Sequence, residues 1–189
     1  MNKLLIFAFA IFLQFSLFAA KEKRPVVVME TSSGTMEIEL FSKRAPETVK
    51  NFLSYVNSSF YNGTIFHRVI DGFMIQGGGF TGQLKKKGTK PAIKNEAGNR
   101  ISNDVGTISM ARTGDPHSAT AQFFINVANN SSLNHSAPTP EGYGYAVFGR
   151  VRKGMTVVNK IKKTTTKRNG PFQNLPMENI LIKKVYLKK

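Results

Sequence analysis

The sequence contains no cysteine and no tryptophan among its 189 residues. Without cysteine there is no disulfide framework, so the folded chain must be held by packing alone. Histidine is nearly as scarce: His67, His117 and His135 are the only three, and their spacing, with no cysteine partners, fits no zinc motif. No metal and no cofactor are therefore expected. No self-similarity at a fixed period is present, which argues against a solenoid or propeller. Glycine and proline, at 16 and 8 residues, are dispersed and form no linker. Gln76-Gly77-Gly78-Gly79-Phe80 lacks the Gly-Lys-Ser/Thr of a phosphate-binding loop, so these glycines are expected to supply a bend or bulge. Ser109 and Ser118 lack the surroundings of a nucleophile elbow.

Acidic residues are few, 11 against 27 lysines and arginines, for a formal charge of +16. Such a balance suits either a solvated basic surface or contact with an anionic one, and the expectation here includes an anionic envelope surface as a partner. The densest run, Lys85-Lys86-Lys87, lies among glycine and glutamine without interleaved aromatics, so no specific nucleic acid is expected.

Long apolar runs are absent except at one place. Asn2 and Lys3 precede a run from Leu4 to Phe18, closed by Ala19 and Ala20 and followed by Lys21, Glu22, Lys23 and Arg24. A run of about 15 residues is short for a membrane span, which needs roughly 20. Residues 1–20 therefore read as a signal peptide for export to a periplasm, with residues 21–189 as the mature domain. The competing reading is an uncleaved anchor, because Phe18 stands where a signal peptidase site prefers a small residue. What remains is long enough for one domain with a substantial core, expected to act as a monomer.

Val26 to Glu30, the turn Ser32-Ser33-Gly34 and the alternating Thr35 to Leu40 predict a hairpin. Pro46, Glu47 and the i, i+3, i+4, i+7 series Val49, Phe52, Leu53, Val56 predict a helix over about 46–57. Further strands are expected at Ile65–Ile70, Phe73–Gly77, Gly106–Ala111, Gln122–Asn126, Ala146–Val151 and Ile180–Leu187, with a second helix around Met155, Val158 and Ile161. About eight short strands and two helices, without regular alternation, predict a mainly β fold: a closed eight-stranded antiparallel barrel capped by two helices. Alternation within strands places Phe123 and Ile125 inward, Gln122 and Phe124 outward, Met74 with Gln76, and Arg68 with Phe66 and Ile70. Phe and Met facing outward beside Gln and Arg mark a binding surface. A lone arginine in an aromatic strand is ordinarily a snorkelling surface residue.

The segments Phe66-His67-Arg68-Val69-Ile70, Gly72-Phe73-Met74-Ile75-Gln76-Gly77-Gly78-Gly79-Phe80, Ser109-Met110-Ala111-Arg112 and Gln122-Phe123-Phe124-Ile125 resemble, in order and spacing, the signature of the cyclophilin family of peptidyl-prolyl cis-trans isomerases. The resemblance runs from about Val26 to Leu187, and the length of the Ala111–Gln122 segment is similar to that of the bacterial branch. It implies an isomerase that accelerates rotation about X–Pro bonds without a covalent intermediate and so assists folding of proline-containing, unfolded or partly folded exported polypeptides. By position it implies Arg68 as the catalytic residue and Gln76 as the group that holds it. Phe73, Met74, Phe124 and Leu133 would receive the proline ring, Ala111, Arg112 and Gln122 would grip the substrate backbone, and Tyr145 would stand at the pocket edge. Ser132 departs from the pattern, occupying the place of a large aromatic residue and leaving that rim open. A second class of function uses the same groove: a proline-binding chaperone or adhesin in which catalysis is incidental. Intact Arg68 favours the isomerase.

Overall fold

The computed structural model of the chain describes residues 24–189, so the leader expected at 1–20 lies outside the described residues. Eight strands close into one antiparallel barrel: β1 (Val26–Thr31), β2 (Gly34–Leu40), β3 (Thr64–Ile70), β4 (Met74–Thr81), β5 (Thr107–Met110), β6 (Phe123–Asn126), β7 (Val147–Lys153) and β10 (Ile180–Leu187). Around the barrel they run β1-β10-β3-β4-β6-β5-β7-β2, and β2 pairs back onto β1. Two helices, α1 (Pro46–Asn57) and α2 (Met155–Lys162), complete the expected architecture. A second hairpin outside the barrel, β8 (Thr166–Asn169) with β9 (Phe172–Pro176), had no counterpart in the sequence reading. Its strands carry Lys, Arg, Asn and Pro in place of alternating apolar residues, so periodicity gives no sign of them.

The alternation in β2 is realised as the sequence predicts. Val27, Met29, Met36, Ile38 and Leu40 enter the core, while Glu37 and Glu39 face outward to Arg24, Arg150, Arg152 and Lys188. Helix α1 begins with Pro46, whose missing N–H would have had no intrahelical partner. No local side chain caps it. Instead the Glu96 carboxylate, 48 residues away along the chain from Thr48, accepts the N–H groups of Glu47 at 3.2 Å and Thr48 at 2.8 Å. Phe52 carries the helix into the barrel, its ring 5.2 Å from Tyr61, 5.9 Å from Phe123 and 5.1 Å from Phe148. Val158 and Ile161 of α2 join the same core, so the helices plug the barrel and do not form a separate layer.

Two irregularities shape the β3–β4 pair. Phe66 pairs with Gly77 and Arg68 with Gln76, so β3 takes two steps where β4 takes one, and His67 is the extra residue of a bulge. The expectation that Arg68 shares a face with Phe66 is thereby corrected. Phe66 and Val69 both enter the core, while His67 and Arg68 between them leave the barrel on its outer side. Strand alternation fails here because a bulge resets the phase by one residue. On β4 the partner of Thr64 is Thr81 and that of Phe66 is Gly77, so the glycine segment is itself bulged, and the strand runs from Met74 to Thr81 in place of the predicted Phe73–Gly77.

Gly78 sits at the bend with φ +82°, a left-handed conformation, and a Cβ there would stand 2.7 Å from Phe123 Cε1 and 2.9 Å from Tyr61 Cε1. Both neighbours are fully buried rings with no room to retreat. Gly78→Ala should therefore destabilise the fold by about 2–4 kcal/mol, adding left-handed strain to overpacking. Urea unfolding at neutral pH measures this; a loss under about 0.5 kcal/mol would show that the bend tolerates a side chain.

Candidate active site

Arg68, Gln76 and Phe124 are direct cross-strand partners on β3, β4 and β6, which places them in one row on one face of the sheet. Met74, two residues from Gln76, lies on the same face and forms with Phe124 a buried apolar floor. Phe73 and Leu133 wall the resulting cavity, Tyr145 and Arg112 close one side, and Ala111 forms its rim, with Arg68 and Gln76 on the remaining side. The cavity measures about 170 Å³, below the several hundred Å³ of pockets that bind whole cofactors or drug-sized ligands. It suits one small ring or side chain. Of the ten residues that the sequence assigned to catalysis or substrate binding, all but Gln122 line it.

Gln122 acts one step away. Its Oε1 accepts from Gln76 Nε2 at 3.0 Å, and Gln76 Oε1 accepts from Arg68 Nη1 at 3.4 Å, a chain that fixes the guanidinium above the pocket mouth. Gly79 makes the chain fit: a Cβ there would lie 2.5 Å from Gln122 Cγ. Arg68 is exposed and forms no ion pair among the described residues, so its charge remains available to a ligand. Arg112 is different. Its Nε, Nη1 and Nη2 donate to the carbonyls of Gly144 at 3.0 Å, Thr113 at 2.9 Å and Pro140 at 3.1 Å, and its guanidinium lies 4.7 Å from the Tyr145 ring centre. The side chain thus braces Tyr145, whose ring meets Phe124 edge-on at 5.6 Å.

Four buried asparagines that the sequence reading passed over hold the loops around the pocket. Asn103 Nδ2 donates to the carbonyls of Leu133 at 3.1 Å and Tyr145 at 3.3 Å, while its Oδ1 accepts from Ser109 Oγ at 2.7 Å and Asn126 Nδ2 at 3.2 Å. Asn130 Nδ2 donates to the Phe73 carbonyl at 2.8 Å and to Asn126 Oδ1 at 2.7 Å, and Asn95 Nδ2 donates to the Gly144 carbonyl at 3.0 Å. Asn126, polar at the end of the apolar strand β6, was the available signal, since a buried amide must find partners. Ser132 is exposed in a single 3₁₀ turn, consistent with an open rim. No group of three or more His, Asp or Glu side chains among the described residues is arranged to hold a metal.

Comparison with known proteins agrees with this geometry. Residues 26–187 match the family described as cyclophilin type peptidyl-prolyl cis-trans isomerase/CLD. Peptidyl-prolyl cis-trans isomerase A of Dickeya dadantii is 56% identical over 156 residues, 82% of this chain and 80% of that relative. Peptidyl-prolyl cis-trans isomerase B of Escherichia coli is 55% identical over 160 residues, 85% of this chain and 98% of that relative. A solved cyclophilin type peptidyl-prolyl cis-trans isomerase of Cryptosporidium parvum superposes with a TM-score of 0.75 at 28% identity, covering 88% of this chain and 98% of its own; another structure of it, in the presence of the dipeptide Ala-Pro, gives 0.74 at 28%, covering 87% and 99%.

His67, beside Arg68, is buried against the rings of Phe80 at 4.8 Å and Phe172 at 6.1 Å. Burial, with a smaller contribution from the Arg68 charge, pushes its pKa down to about 4, against upward pulls from the Ile65 backbone and the Gln122 side chain. Between about pH 6.5 and 4 the unfolded chain binds a proton that the folded chain refuses, so stability falls as the pH is lowered through that window and levels off below it. Replacing the ring by a non-titrating one, His67→Phe, should remove about 2–3 kcal/mol of the stability lost between pH 7 and pH 4.5. Urea midpoints of both proteins at the two pH values test this, and parallel losses would contradict it.

Proposed function

The chain belongs to the cyclophilin-type peptidyl-prolyl cis-trans isomerase family, and on that premise we propose that it catalyses X–Pro rotation in the groove where Arg68, Gln76 and Phe124 stand in one row, with Arg68 as the catalytic residue. The observation that carries the reading is that row itself, a fixed cation poised over a small apolar pocket. Rotation about a peptide bond faces about 18–20 kcal/mol because the amide loses resonance as it twists. No bond is broken, so the protein need only bind the twisted amide better than the planar one. The pocket of Phe73, Met74, Phe124 and Leu133 would take the proline ring and replace water with hydrocarbon, weakening the charge-separated planar form. As the nitrogen becomes pyramidal it regains a lone pair, to which Arg68 can donate. Gln76, itself tied to Gln122, limits the freedom that the guanidinium must lose. A hydrogen bond to a charged group contributes roughly 1.5–3 kcal/mol, or about ten- to a hundredfold in rate. Desolvation and alignment beside Ala111, just past the end of β5, supply the remainder.

The partners are proline-containing polypeptides, taken up while unfolded or partly folded, by a monomer whose basic surface suits an anionic envelope. Arg68→Ala should lower kcat/KM on a short X–Pro peptide at least tenfold while leaving thermal unfolding unchanged, since the side chain is exposed and supports no core packing. Near wild-type turnover would remove Arg68 from the mechanism. Peptide binding without turnover in the wild type would favour a proline-binding chaperone.

Export to a periplasm belongs to the same proposal. The apolar Leu4–Phe18 run supports it, and because the barrel strands are drawn from Val26–Leu187, cleavage after Ala20 removes none of them. Among the described residues no helix is long and apolar enough to cross a membrane. The protein recovered from the cell envelope should have an intact mass that begins at or near Ala20 or Lys21; a membrane-bound species retaining Met1 would identify an anchor instead.

A further inference from the structure

A larger cavity of about 570 Å³ adjoins the proline pocket and shares Arg68 with it. Its inner wall comes from the β3 bulge and its outer wall from the extra hairpin, whose β9 lies against β3. The rings of His67, Phe80 and Phe172 meet edge-on, with Phe80 and Phe172 5.0 Å apart, and Gln122, Gln173 and Asn174 add amides around them. His67 is 5% exposed, and its Nδ1 has no hydrogen-bond partner. That atom is sealed from solvent, so what the imidazole offers the cavity is the rest of its ring, and the wall there is aromatic.

We propose that this cavity is a specificity subsite for an aromatic side chain flanking the X–Pro bond of the substrate polypeptide. The inference rests on the Arg68 groove being the site of isomerisation. Continuity supports the assignment: Arg68 borders both cavities, and Gln122 joins the second cavity to the Arg68–Gln76 chain, so a peptide with its proline in the first pocket passes the mouth of the second. The chemistry of the wall selects the occupant. Three rings already in edge-to-face contact accept a fourth in the same geometry, which rewards an aromatic guest beyond its burial. The imidazole stays neutral at physiological pH because it is buried, so the one charged group on the cavity lining is Arg68. The Arg68 cation at the border disfavours a lysine guest.

The test uses the full mature protein and a set of peptides alike in their X–Pro unit but carrying Phe, Ala, Glu or Lys at successive flanking positions. The expected result is that, at one position, kcat/KM for Phe exceeds that for Ala by about tenfold, with Lys lowest, and that Phe172→Ala collapses the Phe/Ala ratio towards one. A ratio near one in the wild type, a ratio that survives Phe172→Ala, or a preference for Glu over Phe would overturn the subsite. Titration of N-acetyl-phenylalanine methylamide by NMR supplies a readout independent of turnover and of the variant's folding: the His67 imidazole and Phe172 ring signals should shift before those of Tyr145, and the reverse order would also overturn it. If no X–Pro peptide is turned over by the wild type, the isomerase reading fails, and the titration alone then decides whether the aromatic site exists.

Discussion

The bulge at His67 is the constraint on which the rest of the site depends. A regular strand would have to choose between burying Phe66 and exposing Arg68, since residues two apart share a face. With His67 as an extra residue, Phe66 packs 6.0 Å from the Phe123 ring inside the barrel while Arg68 stands outside opposite Gln76. The core and the candidate catalytic row therefore come from adjacent residues of one strand without compromise to either. The same irregularity turns His67 outward and creates the inner wall of the neighbouring cavity. Bulges also bend the sheet, which a barrel of only eight short strands needs in order to close, and register shifts recur between β1 and β10, β2 and β7, and β5 and β7.

Around that row, rigidity comes from buried amides more than from hydrophobic contact. The pocket walls at Phe73, Leu133 and Tyr145 lie in or beside loops, which would ordinarily be mobile. Asn103, Asn126 and Asn130 form one continuous hydrogen-bonded group that grips the carbonyl of each of these residues. Removing one amide would leave several partners unsatisfied in a dry interior, so the group acts as a unit. Arg112 contributes from the surface side, trading its charge for four carbonyls and the face of Tyr145.

Part of the strong positive charge is gathered in ion pairs outside this machinery. Glu37 and Glu39 gather Arg24, Arg150, Arg152 and Lys188 on the outside of β1, β2 and β7, and Asp71 gathers Lys162 and Lys163 beside the end of β3. The Glu37 carboxyl is held below its ordinary range mainly by its hydrogen bond from Lys188, and that of Asp71 by its bond from Lys163. Exposed pairs of this kind add little stability. Other cations, among them Lys85 and Lys86, lie exposed.

What the sequence determined by itself was whatever local periodicity encodes: the hairpin of β1 and β2, the span of α1 from Pro46 to Asn57, and the inward Phe123 and Ile125. Each depends on neighbours within a few positions, so a linear reading reaches it. The tertiary structure decided the rest. The face of Arg68 depended on a register shift against β4, the start of α1 on a carboxylate from Glu96, and the pocket walls on asparagines drawn from Asn95 to Asn130. The β8–β9 hairpin is polar throughout most of its length and is placed by Phe172, which covers His67 and Phe80, and by the buried Leu175. These features are satisfied by partners distant in the chain, and a one-dimensional pattern carries no record of which distant group will meet which orphaned donor or exposed ring.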